Sequence, residues 1–150
     1  MLCMQEVKIA SVHSGKVLEV RYGSIADGAP IVQSTDHGKS YQRWQVIPAD
    51  GVHQIVNLYS HRVLEVAAGS TADGAAIIQW PDNSGEHQLW RLILMTADRY
   101  KIENLHSGKI LEVRGGPTDE AMIEGAPVIQ WEDLDALNQQ WSLIPSGLGV

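Results

Sequence analysis

The sequence predicts an all-β domain made of three tandem copies of one unit, and three observations support this prediction. The segment Val17–Val20 recurs at Val63–Val66 and at Ile110–Val113, at offsets of 46 and 47 residues. A Gln-x-Trp motif follows each copy of this segment. Short β-branched runs alternate with clusters of Gly, Ser, Asp and Pro, as expected for short strands joined by tight turns. A repeat of this length determines the organisation of the whole fold.

The context of the repeated segment also recurs. Upstream, residues 13–16 match residues 106–109, and the middle copy diverges. Downstream, residues 23–29 match residues 69–75, whereas the third copy has a four-residue insertion within residues 115–125. The Ala-Asp-Gly segments of the first two copies are predicted turns, in which glycine adopts positive φ.

Each copy ends with two anchors at one fixed spacing. A β-branched pair precedes a glutamine, and a tryptophan lies eleven residues after that glutamine in all three copies. Chance does not explain agreement between three copies at two independent anchors. The glutamines are Gln33, Gln79 and Gln130, and the Gln-x-Trp motifs pair Gln42 with Trp44, Gln88 with Trp90 and Gln139 with Trp141.

Four strands are predicted in each copy, near residues 7–11, 17–20, 29–33 and 44–47 in the first. No segment keeps an apolar helical period over three turns. Twelve strands in a threefold arrangement make a β-trefoil with pseudo-threefold symmetry, whereas a propeller of four-stranded blades usually needs four or more of them. The predicted core is one repeated set: Leu18, Val20, Ile31, Trp44, Ile47 and their equivalents.

Length and composition predict a single domain, residues 1–150, with copies at about 7–48, 53–94 and 99–145. A chain of 150 residues with 44% hydrophobic residues can bury one continuous core. The net charge is -7, and Lys and Arg are scattered singly. Because there is no basic patch to neutralise phosphates, nucleic acid is not an expected partner.

The N-terminal residues reach a charge before any apolar run of signal-peptide length, and no stretch is long enough to cross a bilayer. The expected location is cytoplasmic, or outside the cell after release without a recognisable signal peptide, and membrane insertion is not expected. Cys3 is the only cysteine, so no intrachain disulfide is expected. The sequence leaves open whether the protein forms a homo-oligomer.

Three Gln-x-Trp motifs that close three copies of this length resemble the ricin-type lectin family, which is also a carbohydrate-binding module family attached to many bacterial glycosidases. The resemblance extends from about residue 7 to residue 145. It implies a β-trefoil with up to three shallow sugar sites, one per copy, commonly for galactose or related sugars. In that family, each site uses an acid that follows a leucine on the second strand, an aromatic ring near the end of the third strand, and a polar side chain before Gln-x-Trp.

Carried onto this chain, the family pattern is complete in the third copy, has histidine as its polar group in the second, and lacks its ring in the first, where Ser34 stands. All three acids are Glu, whereas the family usually has Asp, so each carboxylate lies about 1.5 Å further out. The implied sugar-binding residues are Glu19 and Tyr41 in the first copy, Glu65, Trp80, His87 and Gln88 in the second, and Glu112, Trp131, Asn138 and Gln139 in the third.

These residue types suit a pyranose, which has one face of C–H groups and a rim of hydroxyls. A ring such as Trp131 supplies the flat apolar platform. A carboxylate such as Glu112 accepts charge-assisted hydrogen bonds from two hydroxyls, and the amide of Asn138 both donates and accepts. Together with the galactose preference that the resemblance implies, this chemistry predicts a multivalent lectin for galactose-type or related glycans, with a Kd for each site on the order of 0.1 to 1 mM.

Structural roles compete with binding roles at several positions. Because the acids alternate with apolar neighbours, a solvated strand face is the other interpretation for them. His13 and His106 occupy equivalent turns, which favours a turn or core role over catalysis. Core packing is predicted for Trp44, Trp90 and Trp141, and hydrogen bonding to turn backbone is the first role expected of Gln42, Gln88 and Gln139.

An enzyme is not predicted, because the sequence has no metal-ligand spacing, nucleophile elbow or phosphate-binding loop. Acids in three repeat-related positions also do not make the acid and base pair of a glycosidase. No cofactor or metal is expected. The alternative function is a β-trefoil protein-interaction module with vestigial sugar sites, since fold alone does not fix function. Exposure of Trp80 and Trp131 beside the glutamate of their copy would favour the lectin.

Overall fold

The computed structural model describes residues 5–146, and this part of the chain contains twelve β-strands. Cys3 lies outside the described residues. Short 3₁₀ turns occur at Arg21–Gly23, Ser40–Gln42, Ala67–Gly69, Glu86–Gln88, Asp119–Met122 and Leu137–Gln139. The strands are β1 (Gln5–Ser11), β2 (Val17–Val20), β3 (Ile31–Ser34), β4 (Trp44–Ala49), β5 (Val52–Asn57), β6 (Val63–Val66), β7 (Ile77–Trp80), β8 (Trp90–Thr96), β9 (Arg99–Asn104), β10 (Ile110–Val113), β11 (Val128–Trp131) and β12 (Trp141–Pro145). Between residues 5 and 146, no helix is long and apolar enough to span a bilayer.

Six strands close into a barrel. Around it, β1 pairs with β4, β4 with β5, β5 with β8, β8 with β9, and β9 with β12, all antiparallel. The ring closes because β12 pairs with β1, with Val7 opposite Pro145. Just beyond that pairing, the Ser146 N–H donates to the Glu6 carbonyl at 3.1 Å. A closed ring removes the exposed sheet edges on which other chains could pair.

The remaining strands form three hairpins, β2–β3, β6–β7 and β10–β11, which join one another in a second ring. The turn glycine of each copy donates its N–H to the buried glutamine carbonyl of the next copy. Gly28 donates to Gln79 and Gly74 to Gln130, both at 2.8 Å, and Gly125 donates to Gln33 at 2.9 Å. The third copy therefore contacts the first copy through the same hydrogen bond that joins the first copy to the second. This is the β-trefoil that the sequence predicts.

The same buried glutamines lock the turns at these copy boundaries. In the second copy, the Gln79 side chain accepts from the Ser60 hydroxyl at 2.6 Å. Its amide donates to the carbonyls of Ser24 and Ala26 in the first copy, at 3.1 and 2.8 Å. Gln33 and Gln130 make the equivalent bonds across the other two boundaries. Each turn is thereby fixed beside the third strand of the following copy.

The three motif tryptophans lie in the centre of the core, as predicted. Trp44, Trp90 and Trp141 are fully buried. Each indole N–H donates to the leucine carbonyl of the repeated segment in its own copy, at 3.0–3.1 Å. These bonds satisfy the one polar atom of each ring, so the large apolar surface is buried without an orphaned donor.

The predicted core position Ile47 is wrong by one residue. Side chains alternate across a strand, so an inward Trp44 places Val46 inward and Ile47 on the other face. Val46 is buried in the core, whereas Ile47 is only half-buried. The third strand is also shorter than predicted and begins at Ile31, because the Ala29 carbonyl accepts from Gln79 in the next copy.

Candidate functional site

The glutamate of each repeated segment is the third residue of its strand and points away from the leucines of the core. Glu65 and Glu112 are nevertheless buried, with 3% and 7% of their surface exposed, and Glu19 is half-buried. A freely solvated strand face is therefore not what the structure shows at Glu65 and Glu112. A carboxylate at such a position needs hydrogen-bond partners.

The glutamine of Gln-x-Trp supplies that partner in every copy. In the third copy, the Gln139 amide donates to Glu112 Oε1 at 2.9 Å and to the Glu132 carbonyl at 2.8 Å. Its Oε1 accepts from the Leu134 N–H at 2.9 Å. The side chains of Gln42 and Gln88 make equivalent bonds to Glu19 and Glu65. Because this amide is buried and fully engaged, it holds the glutamate and the loop rather than facing solvent.

The third copy contains the largest of the described cavities near these acids, with a volume of about 410 Å³. Its lining includes Glu112, Asn138 and Gln139 together with the partly exposed ring of Trp131. The structure thus brings together all four residues predicted for the third copy. Glu112 Oε1 is used by Gln139, and the described part of the chain gives Glu112 Oε2 no hydrogen bond.

Asn138 lies at the bottom of this cavity, with 1% of its surface exposed. Its amide donates to the Val113 carbonyl at 2.8 Å, which orients the side chain. Its Oδ1 is buried and has no partner among the described residues. An unpaired buried carbonyl oxygen costs about 1–3 kcal/mol, so this atom is an acceptor in need of a donor.

The sequence did not predict two features of this cavity: the turn against which the Trp131 ring lies, and the segment that forms the opposite wall. The ring of Trp131 lies over the turn of the second copy, since a Cβ on Gly74 would be 3.6 Å from its Cζ3. The far wall comes from the insertion, through Gly115, Gly116 and Pro117, with the exposed Leu134 beside it. The insertion is visible in the repeat alignment, but its place beside Glu112 is not, because that depends on how the copies meet.

The second copy has a similar but smaller site of about 360 Å³. Glu65, Trp80 and His87 line it together, and Asn83 adds a further amide. The imidazole Nε2 of His87 lies 3.3 Å from Glu65 Oε1. The Trp80 ring is 38% exposed and lies over Gly28 of the first copy. Gln88 again holds the acid from behind.

The first copy is different, because a side chain of the third copy lies beside Ser34, where the others have a ring. The Ser34 hydroxyl donates to Glu124 Oε2 at 2.6 Å, and the Thr35 N–H donates to both oxygens of Glu124. Glu19 and Ser34 line one cavity with Glu124, whereas Tyr41 lines a neighbouring one. Tyr22 borders both cavities, so the predicted residues Glu19 and Tyr41 do not share a cavity.

Burial raises the pKa of two of the acids at these sites, and a hydrogen bond lowers the pKa of a third. Loss of solvent raises the pKa of Glu112, and the Gln139 hydrogen bond only partly offsets this. Burial also raises the pKa of Glu19, to which repulsion from Glu124 adds. The Ser34 hydrogen bond lowers the pKa of Glu124, which keeps that carboxylate ionised beside the empty ring position.

A closed barrel, three hairpins and an acid-and-aromatic cavity at the copy boundaries together define a lectin-like β-trefoil. The chain belongs to the family of ricin-type β-trefoil lectin-like domains, whose family model matches residues 4–80 and 86–150. This fold supports a carbohydrate-binding role in general. No curated protein shows a significant match to the chain.

Solved structures show the same fold. The designed threefold-symmetric protein ThreeFoil is 36% identical, with a TM-score of 0.89 over 94% of this chain and 99% of that chain. An exo-beta-1,3-galactanase from Clostridium thermocellum is also 36% identical with a TM-score of 0.89, but the match spans 95% of this chain and only 30% of the galactanase. The ricin B-like lectin of Macrolepiota procera, solved in complex with lactose, is 18% identical with a TM-score of 0.83 over 97% and 99% of the two chains, which shows the fold alone.

Proposed function

We propose that this protein is a carbohydrate-binding lectin for galactose-type glycans, and that its principal site is the cavity of the third copy. One observation carries the proposal. A buried carboxylate, Glu112, and a partly exposed ring, Trp131, line the same cavity as the unpaired Oδ1 of Asn138. A flat apolar face beside convergent polar groups is the arrangement that a pyranose requires.

The chemistry of recognition follows from the atoms that lack partners. Among residues 5–146, Oε2 of Glu112 and Oδ1 of Asn138 have no hydrogen-bond donor, and both are acceptors, so the ligand must present donors, as sugar hydroxyls do. A bond to the ionised Glu112 is charge-assisted and roughly twice as strong as a neutral one. An analogue that lacks the paired hydroxyl leaves these acceptors unsatisfied and is rejected strongly.

The second copy offers a weaker version of the same site. Trp80 is exposed beside Glu65, and His87 takes the place of Asn138. The imidazole already lies near Glu65 Oε1 at 3.3 Å, so fewer groups are free for a ligand. The first copy lacks this site, because Ser34 and Glu124 stand where the ring would be.

Galactose is favoured as the sugar by the relatives. The chain resembles part of an exo-beta-1,3-galactanase at 36% identity, and a lectin of the same fold was solved with lactose. Binding without catalysis is proposed, since the three repeat-related glutamates line three separate cavities and do not form one acid and base pair.

The test is titration of the intact protein with methyl β-galactoside by calorimetry, after a glycan array has identified the sugars retained. Trp131→Ala removes the platform, and Glu112→Gln removes the charge while keeping the shape and the Gln139 contact. Each change is expected to weaken binding about tenfold or more, which is about 1.4 kcal/mol.

Trp80→Ala is the matched control, because it removes the equivalent ring in the second copy. We expect the stronger of the two binding events to survive this change. Absence of binding to any glycan at high protein density would overturn the lectin and favour a protein-interaction module. Binding that survives Trp131→Ala and Glu112→Gln but is lost in Trp80→Ala would move the principal site to the second copy.

A further inference from the structure

Three of the four tyrosines of this chain, contributed by three separate segments, line one cavity of about 330 Å³ near the first copy. They are Tyr22, Tyr41 and Tyr59, and Lys39 and Ser40 complete the wall. No equivalent position in the other copies carries a tyrosine, a phenylalanine or a tryptophan. Tyr22 corresponds to Ala68 and Gly115, Tyr41 to His87 and Asn138, and Tyr59 to His13 and His106. The cluster is therefore a feature of the copy whose usual ring is missing.

Two of the rings are held in place by their surroundings. Tyr41 and Tyr59 meet edge to face, with centroids 6.2 Å apart and an angle of 67° between the rings. Tyr41 also lies against the turn at Gly23, where a Cβ would be only 2.8 Å from its ring. A side chain at position 23 would thus displace the ring. The close approach makes a rigid apolar wall.

Tyr22 forms the exposed side of the cavity. Its ring is 85% exposed, and its backbone has φ of 57°, the same value as Ala68 in the second copy. Since alanine adopts this turn equally well, the tyrosine ring is not needed to form it. The guanidinium of Arg21 lies 5.0 Å from the ring centroid. A large exposed aromatic ring that contributes nothing to the core indicates an interaction surface.

The charge of this cavity differs from that of the three glutamate cavities. No carboxylate is among the residues that line it, and Lys39 makes no ion pair within residues 5–146. Lys39 is exposed to solvent and is the one cationic residue among those that line this cavity. We propose that this tyrosine cavity binds a carboxylated pyranose of the uronic acid type, with its C–H face on the rings and its carboxylate at Lys39.

The experiment compares methyl β-glucuronide with methyl β-glucoside by NMR titration of the intact protein. The two sugars differ only at C6, which is a carboxylate in the first and a hydroxymethyl group in the second. We expect the glucuronide to shift the backbone amides of Gly23, Lys39 and Ser40, with a Kd of about 1 to 10 mM. Tyr22→Ala, which reproduces the second copy, should fold normally and weaken binding about tenfold. Lys39→Gln should reduce glucuronide affinity to that of the glucoside.

Glucuronide binding can be tested separately from galactose binding, because the tyrosine cavity and the cavity of the third copy share no lining residue. Trp131→Ala should leave glucuronide binding unchanged, whatever it does to galactose. The proposal is overturned if the glucuronide shifts only the indole signals of Trp80 and Trp131. It is also overturned if glucoside and glucuronide bind equally, or if neither shifts the amides around the tyrosines at about 20 mM ligand.

Discussion

The buried glutamine of each Gln-x-Trp motif connects several parts of the structure by hydrogen bonds. Gln139 uses its carbonyl oxygen for the Leu134 N–H and its amide for Glu112 and the Glu132 carbonyl. One buried side chain thus links a strand, a loop and the candidate ligand-binding acid. The sequence interpretation assigned this residue both to the turn and to the sugar, and the structure shows how the first role can serve the second.

We expect Gln139→Met to destabilise the protein by about 2–4 kcal/mol, because a similar volume is kept while Glu112 and two loop groups lose their partner in a buried place. Urea unfolding measures the change in the free energy of unfolding. Gln54→Met is the matched control, since Gln54 is half-buried on β5 and has no side-chain hydrogen bond among the described residues. Equal effects of the two changes would show that the Gln139 network contributes nothing.

At the scale of the elements, the loop after each third strand folds into the same turn, with different attachments to the barrel. An aspartate accepts from the N–H two residues later in each copy, through Asp36, Asp82 and Asp133, at 2.9 Å. In the first copy, Asp36 also binds Lys8 on β1 and Arg43 at 3.0 and 3.1 Å. Burial opposes its charge, but the Gly38 N–H and the two cations lower the pKa of Asp36 to about 2.

The lowered pKa predicts an acid-sensitive contribution to stability. A carboxyl whose pKa falls from 3.8 to about 2 on folding stabilises the native state above pH 3.8, and the contribution is lost as pH falls from about 4 towards 2. We expect Asp36→Asn to cost about 1 kcal/mol at neutral pH, after allowance for solvent screening, and to converge with the unmodified protein near pH 2. Asp82→Asn is the control, because Asp82 makes the same turn hydrogen bond but no ion pair among the described residues. The free energy of unfolding is measured by urea unfolding across this pH range. A constant gap between Asp36→Asn and the unmodified protein at all pH values would contradict the prediction.

The elements also show where prediction from sequence succeeds and fails. The span of β2 matches its prediction, because the apolar residues of Val17–Val20 are buried and turn residues bound the segment. Ile47 was predicted to lie in the core, but strand alternation from Trp44 selects Val46 instead. Glu124 was not singled out, because it acts in the first copy although it belongs to the third. Contacts across copy boundaries leave no mark in the alignment of one copy with another.

For the molecule as a whole, the copies share a scaffold but differ in their cavities. The tryptophans, buried glutamines and boundary hydrogen bonds are the same in all three copies, whereas the stacking ring is present in two. The sequence predicted this scaffold well because its residues repeat in register. The tyrosine cavity could not be predicted in that way, because Tyr22, Tyr41 and Tyr59 come from different segments and meet only in the folded chain.

The two proposed sugar sites lie on one rigid body and should together bind a dense glycan surface more tightly than either site binds free sugar. We expect Trp80→Ala to leave the affinity of the third copy for methyl β-galactoside unchanged but to weaken binding to a galactose-dense surface about 10- to 100-fold. Surface plasmon resonance at high and low ligand density separates the two effects. Unchanged binding of Trp80→Ala at high density would mean that the second site does not take part.

The boundary hydrogen bonds from Gly28, Gly74 and Gly125 give the trefoil a property that open repeat proteins lack. Each copy is donor to one neighbour and acceptor from the other, and the cycle returns to its start after three steps. An open solenoid can lose or gain a repeat and still cover its ends with capping units. The ring of copies within residues 5–146 has no end unit to cap, so removing a copy would open two interfaces and adding one would force the barrel to widen. The number of copies is thus a closure condition of the geometry, and new specificity is expected to arise by changing what the cavities of the existing copies contain.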